Sequence, residues 1–187
     1  MKKILLLVLL SLILKIGVSQ NVDTINYLIQ KGEVLGFKVN ASILNLKSNS
    51  KYKIIKISER LYDEILGETC TYTSYIVRDK KENLLKITED NCGERIIAKI
   101  AILSKKFKTI KGIGIGSTLD DFIKAYPNYS LYCGSMCYTY ELQEKDSDFN
   151  FILDKIGILD DNLYCDPGVP IKSSAFKSNT KIVKIFL

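Results

Sequence analysis

Residues Gly112–Pro127 read GIGIGSTLDDFIKAYP, and this stretch decides how the rest of the chain is read. It predicts a tight glycine turn followed by a capped helix. Ser117 or Thr118 can accept a hydrogen bond from a free amide of the first turn. Asp120 and Asp121 sit where the helix dipole favours negative charge. Leu119, Phe122, Ile123 and Tyr126 follow helical spacing and give one apolar stripe. Pro127 ends the helix, because the residue before a proline is pushed out of the helical region.

Seventy-six residues earlier, Gly36–Leu46 read GFKVNASILNL. Gly36 aligns with Gly112, Val39 with Ile115, Ser42 with Thr118, Ile43 with Leu119 and Leu46 with Phe122. The segments downstream of each stretch also align. TCTYTSY matches MCYTYEL, which places Cys70 with Cys137. LLKITED matches FNFILDK, and IIAKIAIL matches KIVKIFL. Outside the helix the apolar period is mostly two, the strand period. Glu68–Val77, the polar turn RDKKEN and LLKITED form a hairpin. Glu94–Leu103 is apolar on both faces and reads as a central strand. RLYDEIL fits a strand slightly better than a short helix closed by Gly67. CYTYELQ, the turn EKDSD and FNFILD form a second hairpin, and TKIVKIFL closes the chain as a strand.

The expected class is therefore α+β: two tandem units, each a short capped helix packed on an antiparallel β-meander, in one sheet or two adjoining sheets. The expected division is a signal peptide at 1–20, a first unit at 21–104 and a second at 105–187. The opening MKKILLLVLLSLILKIGVSQ has two lysines, an apolar run and then small residues, the layout of a secretory signal cleaved near Ser19 or Gln20. The run is too short to span a bilayer. The protein is expected to be secreted or periplasmic, and to touch a membrane only through that signal.

The full chain of 187 residues carries a net charge of +6. Lys2, Lys3 and Lys15 leave with the signal and account for three of those charges, so the mature chain stands at about +3. That is too little to argue for nucleic acid. The densest basic stretch, SKKFKTIK from Ser104 to Lys111, reads as a solvated strand or connector, with a phosphate or lipid-headgroup surface as the alternative.

Five cysteines in an oxidising compartment suggest crosslinks. The aligned units predict Cys70–Cys92 and Cys137–Cys165, with Cys133 left over. Cys133–Cys137 and Cys133–Cys165 are the competing pairings.

The chain has no histidine and no tryptophan. That removes Ser-His-Asp and Cys-His nucleophilic machinery and every histidine-containing metal site. GIGIGST departs from both phosphate-binding glycine fingerprints, so a tight turn is the better reading. SNSK at Ser48–Lys51 lacks the companion motifs of penicillin-binding enzymes. Adjacent Asp120 and Asp121 point apart and read as dipole partners. Asn40 and Asn128 lie in glycosylation sequons, but near helix ends, where turn roles suffice. No catalytic, cofactor-binding or metal-ligating residue is assigned. Tyr138 and Tyr140 share one strand face. They form a contact surface if that face is open and core if it lies under the helix; the alternation favours core.

The strand, capped helix, hairpin and final I-x-K-I strand resemble the beta-lactamase inhibitory proteins, whose tandem repeats pack helices on antiparallel sheet. They also resemble the BamE-type outer-membrane assembly lipoproteins, which have one such unit. The chain lacks the lipobox cysteine of the latter and any inhibitor-loop motif of the former, so no functional residue is carried over. The expected function is a non-enzymatic module that binds another protein, of inhibitor, immunity or envelope-assembly type. The alternatives are a small-ligand or glycan-binding protein and, further off, a carboxylate-based hydrolase. No cofactor is expected.

Overall fold

A computed structural model describes residues 27–48, 51–63, 68–90, 95–134, 139–145, 147–159, 163 and 165–187. The expected signal peptide lies outside these residues. The chain runs through β1 (Leu28–Gln30), β2 (Glu33–Val34), β3 (Phe37–Lys38), a 3-10 helix (Ile43–Ser48), β4 (Lys53–Asp63), β5 (Glu68–Arg78), β6 (Asn83–Glu89) and β7 (Ile97–Ile102). It continues through β8 (Lys108–Thr109), α1 (Leu119–Ala125), β9 (Tyr129–Cys133), β10 (Tyr140–Glu144), β11 (Asn150–Leu153) and β12 (Ile182–Phe186). Two sheets result: a small one in the order β3-β2-β1-β8, and an eight-stranded one in the order β4-β5-β6-β7-β12-β11-β10-β9.

The expected α+β class is therefore wrong. The fold is mainly β, with one α-helix of seven residues among those described, and it is not two tandem helix-plus-meander units. The reason lies in the first turn of each candidate helix. Thr118 accepts from the amide of Asp121 at 3.0 Å, and Asp121 accepts from the amide of Thr118 at 2.9 Å, a closed capping box. In the earlier segment Asn45 stands where Asp121 closes that box. Ser42 instead accepts from Leu44, two residues on, at 3.3 Å, and the Asn45 amide donates to the Ser42 carbonyl. That is a tight i to i+3 turn, and the segment stays 3-10.

The strands follow composition more faithfully. β5, rich in Thr, Tyr and β-branched residues, pairs with both neighbours. Asp79 sets the β5–β6 turn, its Oδ1 accepting from the amides of Lys81 at 2.7 Å and Glu82 at 2.8 Å. KYKIIKI and the start of RLYDEIL join as the single strand β4.

One core lies between the eight-stranded sheet and a layer made of the small sheet, the 3-10 helix and α1. Phe107, Phe122, Phe151, Leu85, Ile87, Ile100 and Ile185 are essentially sealed from solvent there. Phe122 packs on Phe151 with ring centres 5.0 Å apart.

β7 and β12 join the halves of the large sheet. Ile100 and Leu187 exchange both backbone hydrogen bonds, at 3.1 and 2.9 Å. The same connections recur on either side of this joint. Ser42 bridges Ile96 as Thr118 bridges Lys181. Ile97 donates to the Ala41 carbonyl and Ile182 to that of Ser117, both at 2.9 Å.

Cys133 at the end of β9 is bonded to Cys165, with Cα atoms 5.3 Å apart. Cys165 is thus taken by Cys133, and the expected Cys137–Cys165 pairing gives way to its competitor. β9 ends at Cys133, which is turned inward and buried within reach of Cys165. Cys137 lies outside the described residues. So do Cys92 and the Cys70 side chain, and with them the expected Cys70–Cys92 bond.

Candidate open sheet face

A strand in a half-covered sheet sends alternate side chains to opposite sides. In the eight-stranded sheet one side is the core. The other can be followed straight across by backbone register. One row runs Ile55, Ile76, Lys86, Ala101, Phe186, Asn150, Gln143 and Ser130, from β4 to β9. Beside it, Ile57, Ser74, Thr88 and Lys99 cross the first half, and Lys184, Ile152, Glu141 and Tyr132 cross the second.

This face is open. Ile55, Ile57, Ile76, Ala101 and Phe186 are only half-buried, and Lys99 and Lys184 are exposed, whereas Ile100 and Ile185 on the opposite side are at 0% exposure. The face is apolar in patches and edged by cations. The Lys99 ammonium sits 3.8 Å above the Phe186 ring, an electrostatic attraction to the ring face. Lys86 and Glu59 approach to 4.0 Å in solvent, a pair worth little by itself.

The second half of the face holds a polar group of different character. The Tyr132 hydroxyl lies 3.4–3.5 Å from Glu141 Oε2, Gln143 Oε1 and Asn150 Oδ1. It has one proton and can donate to only one acceptor at a time. Burial, followed by the nearby Glu141 carboxylate, holds its pKa above the ordinary tyrosine value, so it stays a neutral donor. Tyr132 belongs to the same tyrosine-rich stretch as Tyr138 and Tyr140, but the sequence reading assigns the candidate contact surface to that pair alone. The signal was present in YSLYC, where Leu131 and Cys133 turn inward and leave Tyr132 outside.

The residues that were singled out fall elsewhere. Tyr140 is 5% exposed and packs edge-on against Phe176 at 5.1 Å; it is core, not contact surface. Tyr138 lies outside the described residues. The GIGIGST loop is a turn. Gly112 and Gly116 take φ of 80° and 89°, which glycine adopts without penalty. The following amides are already used, Leu119 by Thr180, Asp120 by Ser178 and Asp121 by Thr118, which leaves no cradle for an anion. In SKKFKTIK, Phe107 is buried, Lys108–Thr109 forms β8, and Lys106 pairs with Glu82. The stretch is thus part connector and part strand. Among the described residues no group of three His, Cys, Asp or Glu side chains is placed to hold a metal ion, and no helix is long and apolar enough to cross a membrane.

No protein-family model and no curated protein matches the chain. Among solved structures the chain is similar to the uncharacterized protein yfeY from Escherichia coli. Identity is 13% and the TM-score 0.47, over 83% of this chain and 93% of that one. At this score the likeness assigns neither fold nor activity. It does not bear on the resemblance to beta-lactamase inhibitory or BamE-type proteins.

Proposed function

We propose that the protein is a non-enzymatic binding module of a secreted or periplasmic compartment, and that it docks another protein on the open face of the eight-stranded sheet. The observation that carries this reading is the row from Ile55 to Ser130: an unbroken strip across eight strands, half-buried aliphatic and aromatic groups at its middle and one end, lysines beside them. Apolar anchors with charged neighbours are the composition of a protein-binding patch. The Cys133–Cys165 bond supports an oxidising location, as does the Lys-Lys and apolar opening of the sequence. The lack of histidine supports a non-catalytic role.

The test is affinity capture from an envelope extract with the native protein and with Phe186→Asp. Phe186 stands on the open face and its loss leaves the core untouched. The expected result is a stoichiometric protein partner retained by the native chain and weakened at least about tenfold by the substitution. A partner held equally by both proteins would move the interface off this face. The polar group around Tyr132 suits a sugar hydroxyl network, so a glycan-array signal with no protein captured would favour the glycan reading.

A further inference from the structure

A concavity lies at the open end of the β4–β5 hairpin, beside the β5–β6 turn. It encloses about 490 Å³ and is lined by Tyr27, Lys51, Tyr52, Lys53, Arg78, Asp79, Lys80, Lys81 and Lys106. That size falls within the range of small-molecule sites, roughly 300–1,000 Å³. Six of its nine lining residues are cationic and one is anionic. Six cations less one anion leave a local surplus of five positive charges, beside a net charge of +6 for the full chain.

The lone carboxylate stays ionised and offsets only one of the six positive charges. Asp79 spends an oxygen on the amides of Lys81 and Glu82, and those bonds hold its pKa below the ordinary carboxylate value. Lys106 is engaged by Glu82, with Asp79 at 4.0 Å. The other five cations come from two pieces of chain: Lys51 and Lys53 around the start of β4, and Arg78, Lys80 and Lys81 at the end of β5 and in the turn after it.

Two rings complete the lining. Tyr27 stands edge-on to Phe107 at 5.2 Å, and Tyr52 lies 6.3 Å from Phe37. Each ring rests against a buried phenylalanine, and the Lys106 ammonium stands 5.4 Å from the centre of the Tyr27 ring. None of the large exposed apolar side chains lines the hollow, which argues against a lipid surface. A concave site is also the wrong shape for the extended stripe that nucleic acid requires.

We infer that this hollow binds a multiply charged anionic sugar, with the cations meeting carboxylate or phosphate groups and the tyrosines giving flat, half-apolar platforms for the ring. The site adjoins the open sheet face at its β4–β5 end, where Lys53 and Arg78 pair in register and follow Ile55 and Ile76 on the same side, but Lys80 and Lys81 lie in the turn beyond that face.

The test is calorimetric titration at low salt with three probes: trigalacturonate, which is charged and ring-built; maltotriose, which has rings without charge; and pyrophosphate, which has charge without rings. Trigalacturonate is expected to bind, pyrophosphate to bind more weakly and maltotriose not to bind. The double substitution Lys80→Glu, Lys81→Glu, on exposed turn positions, is expected to weaken trigalacturonate at least about tenfold while the melting temperature stays put. Raising the salt should weaken it as well. The proposal is overturned if trigalacturonate fails to bind, if maltotriose or pyrophosphate equals it, or if the folded double variant binds it unchanged. Capture of a protein partner through Phe186 is a separate readout, so the two proposals fail independently.

Discussion

Tyr126 shows what one residue at the end of α1 does for the fold. Its ring lies 5.0 Å from Phe122 and its hydroxyl donates to Thr109 Oγ1 at 2.7 Å. Lys111 stands 4.4 Å above the same ring. Burial, opposed by the Thr109 bond and reinforced by the Glu144 charge, raises its pKa above 10.0. A phenol that ionises less readily when folded stabilises the fold fully below its ordinary value, and that contribution is lost as pH rises through the folded one. Tyr75 and Tyr132 are raised in the same direction, each chiefly by burial. Urea unfolding should therefore show stability falling on the alkaline side. Tyr126→Phe should lower stability at neutral pH by about 0.5–1.5 kcal/mol, the net worth of the lost hydrogen bond, and make the alkaline fall shallower. An unchanged alkaline slope would mean that this phenol does not titrate with unfolding. The apolar stripe containing Tyr126 was readable from STLDDFIKAY, and so was the cap. Its partner Thr109 was not, since helical spacing says nothing about a residue seventeen positions away.

At the scale of elements, legibility tracked local signals. The β5–β6 and β10–β11 hairpins and the strands β7 and β12 were visible because period-two alternation and turn residues lie close together in sequence. β9 was missed, being five residues bounded by no turn glycine on its entry side. The small sheet was missed because β1, β2, β3 and β8 have two or three residues each, too few to show a period. The 3-10 segment was misread because apolar spacing reports which side is buried, while Asn45 and Ser42 decide the winding. The disulfide was misassigned because it depends on where β9 ends. β9 is an edge, and the chain around Cys165 covers it: Gly168 donates to the Cys133 carbonyl at 2.9 Å and Ile171 to that of Leu131 at 2.7 Å, with Pro167 and Pro170 alongside. Proline on an outer strand blocks further pairing. The bond spans 32 residues, for which loop-closure entropy gives about 3–4 kcal/mol. Cys165→Ser should cost that amount in denaturant unfolding, and Cys133→Ser should cost the same. Non-reducing peptide mapping in which Cys133 and Cys165 are not linked would dismiss both expectations.

For the whole molecule, strand order is the feature that no local pattern reveals, because β7 meets β12 across some eighty residues of chain. The segments on either side of Ser104 share both sheets: β1 of the first pairs in parallel with β8 of the second, and β7 pairs with β12. They also share one core, since Ile29, Val34 and Phe37 belong to the same buried cluster as Phe122, Phe151 and Ile185. Two bodies joined this way have little surface at which to part, so unfolding should be a single event with matching calorimetric and van't Hoff enthalpies. Ile185 is the place to test this, being fully buried at the joint and opposite Ile102. Ile185→Ala should cost about 2–5 kcal/mol through lost burial and the cavity left behind, and should lower one transition rather than split it. Val183 on the same strand is 39% exposed, and Val183→Ala should stay within about 0.5 kcal/mol. Two resolved transitions in Ile185→Ala, one of them at the native midpoint, would show that one half folds without the joint.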